Sequence, residues 1–369
     1  MPVVQASQTQ PVKISINLFT IFILITCNTS VRIPDCYCAI SDTTMSKTIR
    51  LGSRTSKLAV AQAEIVAEAL KGCFPDYNFE IVTKATLGDN MQDKPLYSFG
   101  GKSVWTSELE ELLVSTGPQS IDMIVHSLKD VPTNLPNEFK LGAMLNRADP
   151  RDVLVVRSDL AYKSLAELPP DSVVGTSSVR RMAQLRRRYP GFKFKVVRGN
   201  MNTRLAKLED PEQGYTCLIL AAAGLVRIDL GDKITQYLSS PDMLYAVGQG
   251  ALGVEINKND EFTQSLLDKI KDMPTTLSCT AERSLMRTLE GGCSVPLGVE
   301  STISPENVLT IETCIISVDG TEAAISKLSR KVQTEDEAES MGKDLAQQLL
   351  SQGAGAILEK INYDKLNEH

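Results

Sequence analysis

Ile121-Asp122-Met123-Ile124-Val125-His126-Ser127-Leu128-Lys129-Asp130-Val131-Pro132 begins as a mostly apolar run and ends as a charged turn. An apolar run without in-out alternation reads as a strand buried on both faces, the kind found in parallel sheets covered by helices. The predicted strand covers 121–125 and ends in His126, and Pro132, which lacks an amide hydrogen and restricts the residue before it, forbids helix continuation nearby and fixes the turn. Lys129 and Asp130 are thereby placed at the strand's carboxyl edge, where open α/β sheets bind ligands.

The same rhythm extends in both directions. Strands are predicted over 48–52, 79–86, 152–157, 173–175, 194–197, 217–221 and 252–256. Helices are predicted over 57–70, where Leu58, Ala61, Ile65 and Ala69 share a face, over 105–114, and from about Val179. Strands alternating with helices predict an α/β fold with mostly parallel sheets. The two N-terminal halves are built alike, which predicts two lobes and a cleft. After Pro274 the pattern changes to a helix over 279–289, alternating strands near 309–317 and 323–331, and a helix over 336–350, a smaller α+β domain. The expected division is a poorly structured extension over 1–46, lobe 1 over 47–146 plus 242–265, lobe 2 over 150–240, and a C-terminal domain over 274–369. The polar, glycine-bearing stretch 87–103 has no period and reads as a lid.

The chain has 369 residues and a net charge of -6, with 42% hydrophobic and 23% charged residues, as in ordinary globular proteins. That net charge argues against a general nucleic-acid or anionic-membrane binder. With two histidines, His126 and His369, a His-rich zinc site is excluded and no metal is expected. The cysteines beyond residue 45 are scattered without a CxxC, which fits a reduced, cytoplasmic chain. Residues 14–27 are mostly apolar, long enough for a secretory h-region but short for a membrane span. Folded-domain patterning begins at Met45, which is the expected working start.

Against the acidic whole, residues 176–208 contain no Asp or Glu and carry ten Lys or Arg: Arg180, Arg181, Arg186, Arg187, Arg188, Lys193, Lys195, Arg198, Arg204 and Lys207. Like charges so concentrated repel unless an anion sits among them. In Gly175-Thr176-Ser177-Ser178-Val179-Arg180-Arg181 a strand leads into a helix N-terminus, whose free N–H groups attract anions. Arginines in a first turn oppose the helix dipole, so Arg180 and Arg181 read as anion ligands. Arg186 to Arg188 read as a solvated face. Arg54 and Ser56 precede the first helix, Arg198 and Arg204 follow a strand, and Arg227 follows the strand ending at Ala221. Guanidinium forks bind carboxylates in pairs, so convergence of several implies a polycarboxylate or polyphosphate. With neither GxxxxGK[ST] nor GxGxxG after a strand, a nucleotide is not expected. Asp130 is placed to stabilise a developing cation or to pass a proton to a leaving amine, with Lys129 beside it to hold a carboxylate. In Glu290-Gly291-Gly292-Cys293-Ser294-Val295-Pro296 two glycines present a thiol, in contrast to the usual buried cysteine.

Seven motifs occur in one order: RLGSRTSKLAVAQ (50–62), WTSELE (105–110), VHSLKDVPT (125–133), GTSSVRR (175–181), RGNMNTRL (198–205), AVGQGALGVE (246–255) and LEGGCSVP (289–296). Together they resemble the porphobilinogen deaminase (hydroxymethylbilane synthase) family, in a style similar to its fungal members. The resemblance implies three domains, the first two forming a cleft like that of periplasmic binding proteins. It implies a dipyrromethane cofactor joined by a thioether to Cys293. It also implies addition of four porphobilinogen molecules head to tail, with loss of ammonia, to give hydroxymethylbilane for haem biosynthesis. By motif, Asp130 would be the catalytic carboxylate. Arg54, Ser56, Lys129, Thr176, Ser177, Ser178, Arg180, Arg181, Arg198, Arg204 and Arg227 would bind the acetate and propionate groups. Gln62, Trp105, Ser127, Ala221, Gln249 and Gly250 would line the cleft, and 87–103 would be the active-site loop. Trp105 stands where Phe is frequent, and either ring can stack on a pyrrole. A monomer acting on a small substrate, with no nucleic acid or membrane partner, is expected.

Two other classes are open to these residues. A non-catalytic two-lobed anion binder would use the arginines but need neither Asp130 nor Cys293. An RNA-binding module would need stacking aromatics, and Tyr189, Phe192 and Phe194 form no known motif.

Overall fold

The computed structural model describes residues 47–86, 106–289 and 295–361. Three sheets organise them. The first contains β1 (Thr48–Arg54), β2 (Asn78–Lys84), β3 (Met123–Ser127), β4 (Phe139–Met144) and β10 (Leu252–Asn257), in the order β2-β1-β3-β10-β4. The second contains β5 (Asp152–Val156), β6 (Val173–Gly175), β7 (Lys193–Lys195), β8 (Cys217–Ala221) and β9 (Gln236–Leu238), in the order β7-β6-β8-β5-β9. Only β10 in the first and β5 in the second run against the other strands of their sheet, so both lobes are mostly parallel, as predicted. The third sheet is the antiparallel meander β11 (Leu297–Ile303), β12 (Val308–Ile316) and β13 (Ala323–Lys331).

Helices cover both faces of the first sheet. α1 (Lys57–Cys73) buries Ala63, Val66 and Leu70 against Ile49, Leu51, Met123, Val125 and Val254. α2 (Ser107–Val114) buries Leu109 and Leu113 against Ile121 and Ile124 on the opposite face. Each fully buried Leu or Val contributes about 1.5–3 kcal/mol through removal of apolar surface from water. The second sheet is covered likewise, with α3 (Val179–Arg188) on one face through Leu185 and α4 (Met201–Glu209) on the other through Leu208. A short helix, α5 (Ala222–Val226), follows β8 directly, and α6 (Glu261–Leu267) follows β10.

In the C-terminal region α7 (Met273–Thr288) and α8 (Glu335–Ser351) pack on the meander, and α9 (Ala354–Glu359) ends the described chain. A Cβ at Gly342 would stand 2.3 Å from the Ala281 carbonyl, so only glycine allows α7 and α8 to cross this closely. α7 begins at Met273, earlier than the predicted 279. Asp272 accepts from the Thr275 amide at 2.9 Å, and Pro274 lies in the first turn, where its missing N–H costs nothing. β4 and β9 were not foreseen. The first is broken in pattern by Lys140 and Gly142, and the second is three residues long.

Candidate active site

β3 places the site's acid. After Ser127 the chain makes a 3-10 turn over Leu128–Asp130, closed by the Val131 amide on the Leu128 carbonyl at 3.1 Å. Leu128, 1% exposed, anchors the turn against Val131, Met144, Ala251 and Cys279. The Leu128 amide donates to the Ala251 carbonyl at 3.0 Å. α7 holds the far side: Arg283 donates to the carbonyls of Val131 and Pro132 at 3.0 and 2.7 Å, and Arg287 to that of Thr133 at 3.0 Å. The helix that leads toward Cys293 is thus fastened to the chain just after Asp130. Cys293 itself, Trp105, the stretch 87–103 and residues 1–46 lie outside the described residues.

The cations converge on this turn. Burial pushes the Lys129 ammonium down to about 8, opposed by Asp130, with Arg181 and Arg180 adding repulsion and Asp152 attraction. Burial, then Arg181 and Arg198, pushes the Arg204 guanidinium down to about 10, with Asp130 opposing. Lys129, Arg180, Arg181, Arg198 and Arg204 therefore share one neighbourhood with two acids, Asp130 and Asp152. Arg227 donates to the Gly250 carbonyl at 2.7 Å, and burial pushes it down to about 10 as well. Both guanidiniums remain charged at neutral pH, so the enclosure carries an excess of positive charge that an anion would relieve.

The structure corrects the reading of Arg180 and Arg181 in one respect: the chain supplies an anion of its own. Arg180 Nη1 lies 2.6 Å from Asp152 Oδ2, and Arg181 Nη2 lies 2.7 Å from Asp152 Oδ1. Arg180 also donates to the Leu244 carbonyl and Arg181 to that of Ile219, each at 2.7 Å. Burial alone would raise the Asp152 carboxyl, but the two guanidiniums outweigh it and hold it well below the usual carboxylate range. Arg186 is corrected too: it is partly buried and donates to the Val318 carbonyl, while Arg187, though exposed, donates to the carbonyls of Gly320 and Thr321, so both bind the C-terminal region. Arg187 and Arg188 are exposed, as the solvated-face reading had it, and Arg188 lies near Asp242 at 3.3 Å.

The neutral residues are held as follows. Gln62 on α1 exchanges hydrogen bonds with Ser127 at 2.7 and 3.0 Å. Gln249 donates to the Pro150 carbonyl and to Asp152, and accepts from Lys129 at 3.4 Å. Thr176 accepts from the Ser178 amide, and Ser177 donates to the Val197 carbonyl at 2.6 Å. Ser178 opens α3 without a side-chain cap, and Ala221 ends β8. Ser56 Oγ caps α1 through the Ala59 amide at 3.3 Å. Arg54 ends β1 at the same sheet edge as Ser127.

Sequence reasoning missed Asp152, Arg147 and Glu282. Arg147 forms a bidentate pair with Glu282 at 2.6 and 3.1 Å and donates to the Gln249 carbonyl at 2.7 Å. Asp152 had a signal: it is the lone charge opening the apolar strand DVLVV. His126 is 6% exposed, with Nε2 2.9 Å from Glu255, so it is no exposed base. Cys217, Cys279 and Cys314 are buried thiols pushed up to about 12 by burial, inert as expected.

Fold and site define a two-lobed α/β protein with a carboxylate set among enclosed cations. A family model described as "Porphobilinogen deaminase, dipyromethane cofactor binding domain" matches residues 49–265, and one described as "Porphobilinogen deaminase, C-terminal domain" matches 276–351. The porphobilinogen deaminase of Yarrowia lipolytica is 55% identical over 318 residues, covering 86% of this chain and 94% of that one. That of Eremothecium gossypii is 54% identical over 319 residues, covering 86% and 98%. That of Saccharomyces cerevisiae is 49% identical over 323 residues, covering 87% and 99%. The chain belongs to the porphobilinogen deaminase family. Among solved structures, the probable amino-acid ABC transporter extracellular-binding protein ytmK of Bacillus subtilis is a looser likeness, at TM-score 0.35 and 13% identity over 61% of this chain and 90% of that one.

Proposed function

We propose that this chain is the transferase that joins four porphobilinogen molecules head to tail, with loss of ammonia, into hydroxymethylbilane for tetrapyrrole biosynthesis. The supporting observation is the enclosed surplus of cations around Asp130, in a chain whose family is defined by a dipyrromethane-binding domain. Each pyrrole carries two carboxylates, and Lys129, Arg204 and Arg227 are cations that burial disfavours and an anion would restore. The residues present thus fit a dipyrromethane, which when bound supplies the primer for chain growth.

Lys129, Arg198, Arg204 and Arg227 bind acetate and propionate groups, joined by Arg54 and by the N–H atoms that Arg180 and Arg181 leave outside the Asp152 pair. The Ser177–Ser178 end of α3 adds backbone donors. Asp130, fixed by the Leu128 anchor and the α7 arginines, stabilises positive charge at the reacting carbon and holds the proton that departs with the amine. Gln62 orients Ser127, and Gln249 links Lys129 to Asp152. Cys293, in the motif that follows α7, anchors the primer. We read the lobes as 47–146 with 242–265 and 150–240, the anchoring domain as 274–369, and the protein as a cytoplasmic monomer, in keeping with its free buried thiols.

Intact-mass measurement of the purified protein tests this reading. A covalent excess equal to a dipyrromethane, absent from Cys293→Ser, together with consumption of porphobilinogen, is the expected result. An unmodified mass with tight carboxylate binding and no turnover would make the chain an anion binder.

A further inference from the structure

The two lobes touch at a point that no residue assigned above occupies. α1 packs on the first sheet, and α4 and α5 pack on the second. A Cβ built on Gly224, in the middle of α5, would stand 2.8 Å from Met201 Cε at the start of α4 and 3.6 Å from Leu58 Cδ2 in the first turn of α1. Leu58 therefore reaches from lobe 1 to the surface of lobe 2. Leu58 and Met201 are half-buried, and Gly224 is buried. Glycine is disfavoured inside a helix relative to alanine, and alanine fills the two positions before it. A glycine there marks a close approach.

The contact stands among the cations. Arg54 precedes Leu58 at the junction of β1 and α1. Met201 comes three residues before Arg204 on α4, and Gly224 three before Arg227 at the end of α5. That spacing puts each pair on one helix face. A polycarboxylate held by these arginines therefore lies against the contact.

The contact is also of a kind that can part. It is hydrocarbon and thioether, with no directional bond, and a methionine side chain changes shape readily. The crossover between the lobes is fastened differently. Gln249 donates to the Pro150 carbonyl and to Asp152, and Arg227 donates to the Gly250 carbonyl. Directional bonds at the crossover and a small apolar touch across the cleft suit a hinge at the first and parting at the second.

We propose that Leu58, Met201 and Gly224 form an apolar gate across the cleft, closed for the first porphobilinogen and parted by the later ones. The room required grows with every pyrrole, and each brings two more carboxylates to be seated beside this contact. The gate acts on that room and not on the chemistry at Asp130, so it governs how readily the chain grows past its first addition.

The inference rests on the transferase reading. Its test mixes the holoenzyme with a limited amount of porphobilinogen and reads, by intact mass, how many pyrroles each molecule has gained. In Gly224→Ala the added methyl would meet Leu58 at ordinary contact distance and tighten the gate. Later additions should slow on the order of tenfold while the first keeps its parental rate. Leu58→Ala should deplete the partly elongated species relative to the parent. Leu58→Ala added to Gly224→Ala should restore later additions, because the partner across the cleft is gone. Crowding of Met201 within lobe 2 alone would not be relieved in this way.

The proposal is overturned by a parental mass distribution in Gly224→Ala, by equal slowing of the first addition, or by a double variant as slow as Gly224→Ala. If Gly224→Ala does not fold, Leu58→Ala decides, and a parental distribution there sinks the gate. A parent that gains no pyrrole mass would instead remove the transferase reading. Hydrogen exchange then judges the contact by itself. Faster exchange in Leu58→Ala at the first turn of α1 and at α5 supports it, and unchanged rates overturn it.

Discussion

Gln249 donates its amide to Asp152 Oδ1 at 2.9 Å, on the same oxygen that Arg181 Nη2 approaches at 2.7 Å. Gln249 lies in the segment entering β10 of the first sheet, and Asp152 opens β5 of the second. One buried carboxylate therefore holds two arginines of the second lobe and a glutamine that reaches Lys129 in the first.

Asp152→Asn keeps the shape and removes the charge. Arg180 and Arg181 would then be buried cations without their anion, a loss of about 3–5 kcal/mol. Chemical denaturation should show a lower midpoint with an unchanged slope. A loss below about 1 kcal/mol would mean the arginines find water or another acceptor, against the burial seen here.

Asp130→Asn separates binding from chemistry. The turn is held by Leu128 and by Arg283 and Arg287, none of which needs the Asp130 side chain. The variant should fold and carry the adduct mass while turnover falls by roughly 10²–10⁴-fold, as for loss of a positioned acid or base. Near-normal turnover would refute the role.

The sequence showed the parallel lobes because unbroken apolar runs such as Cys217–Ala221 have few other uses. It located Asp130 and Lys129 because they follow directly on an apolar strand, with Pro132 limiting the turn just beyond them. It did not show who would neutralise Arg180 and Arg181, since Asp152 is 28 and 29 residues away and pairing across a sheet leaves no local spacing signal. Arg147 and Glu282 escaped for the same reason, at a separation of 135. The Arg186–Arg187 contacts were hidden because their partners are backbone carbonyls, which every sequence has.

Lys129 gives a pH dependence with a definite sign. Its folded-state value is lowered to about 8 from an ordinary 10.5, so the folded protein releases this proton before the unfolded chain does. Between those values the unfolded state binds more protons, and this group's contribution to stability rises with pH. The cost of burying the ammonium is fully present below about 8. Carboxylate binding runs the other way, because above about 8 the neutral amine no longer attracts it. KM for porphobilinogen should rise through that region, and Lys129→Met should have a high KM at lower pH with this rise absent. A parental alkaline limb in Lys129→Met would assign it to another group.

Gly250 sits at φ +87°, and a Cβ there would stand 2.5 Å from the Ala148 carbonyl oxygen. Gly250→Ala must move the backbone whose carbonyl receives Arg227. We expect a loss of about 1–3 kcal/mol, from the left-handed conformation and the close contact together. Thermal unfolding measures it, and an unchanged Tm would show that the segment relaxes freely.

Arg204 divides stability from function. Its Nε donates to the Gly199 carbonyl at 2.8 Å, while Arg181 and Arg198 repel its charge and burial disfavours it. On the proposed reading this charge burdens the fold without a bound polycarboxylate and serves as a ligand with one. In a Cys293→Ser background, which removes the anchor, Arg204→Met should unfold no earlier than its parent and even later by up to about 1 kcal/mol, since a solvation cost disappears and the aliphatic stem is kept. In the chain with Cys293 intact, the same change should reduce the fraction carrying the adduct mass and slow turnover. Stability and loading should therefore move in opposite directions. A variant that loses stability without the anchor, yet loads as well as its parent, would place Arg204 in the scaffold and remove it from the carboxylate site.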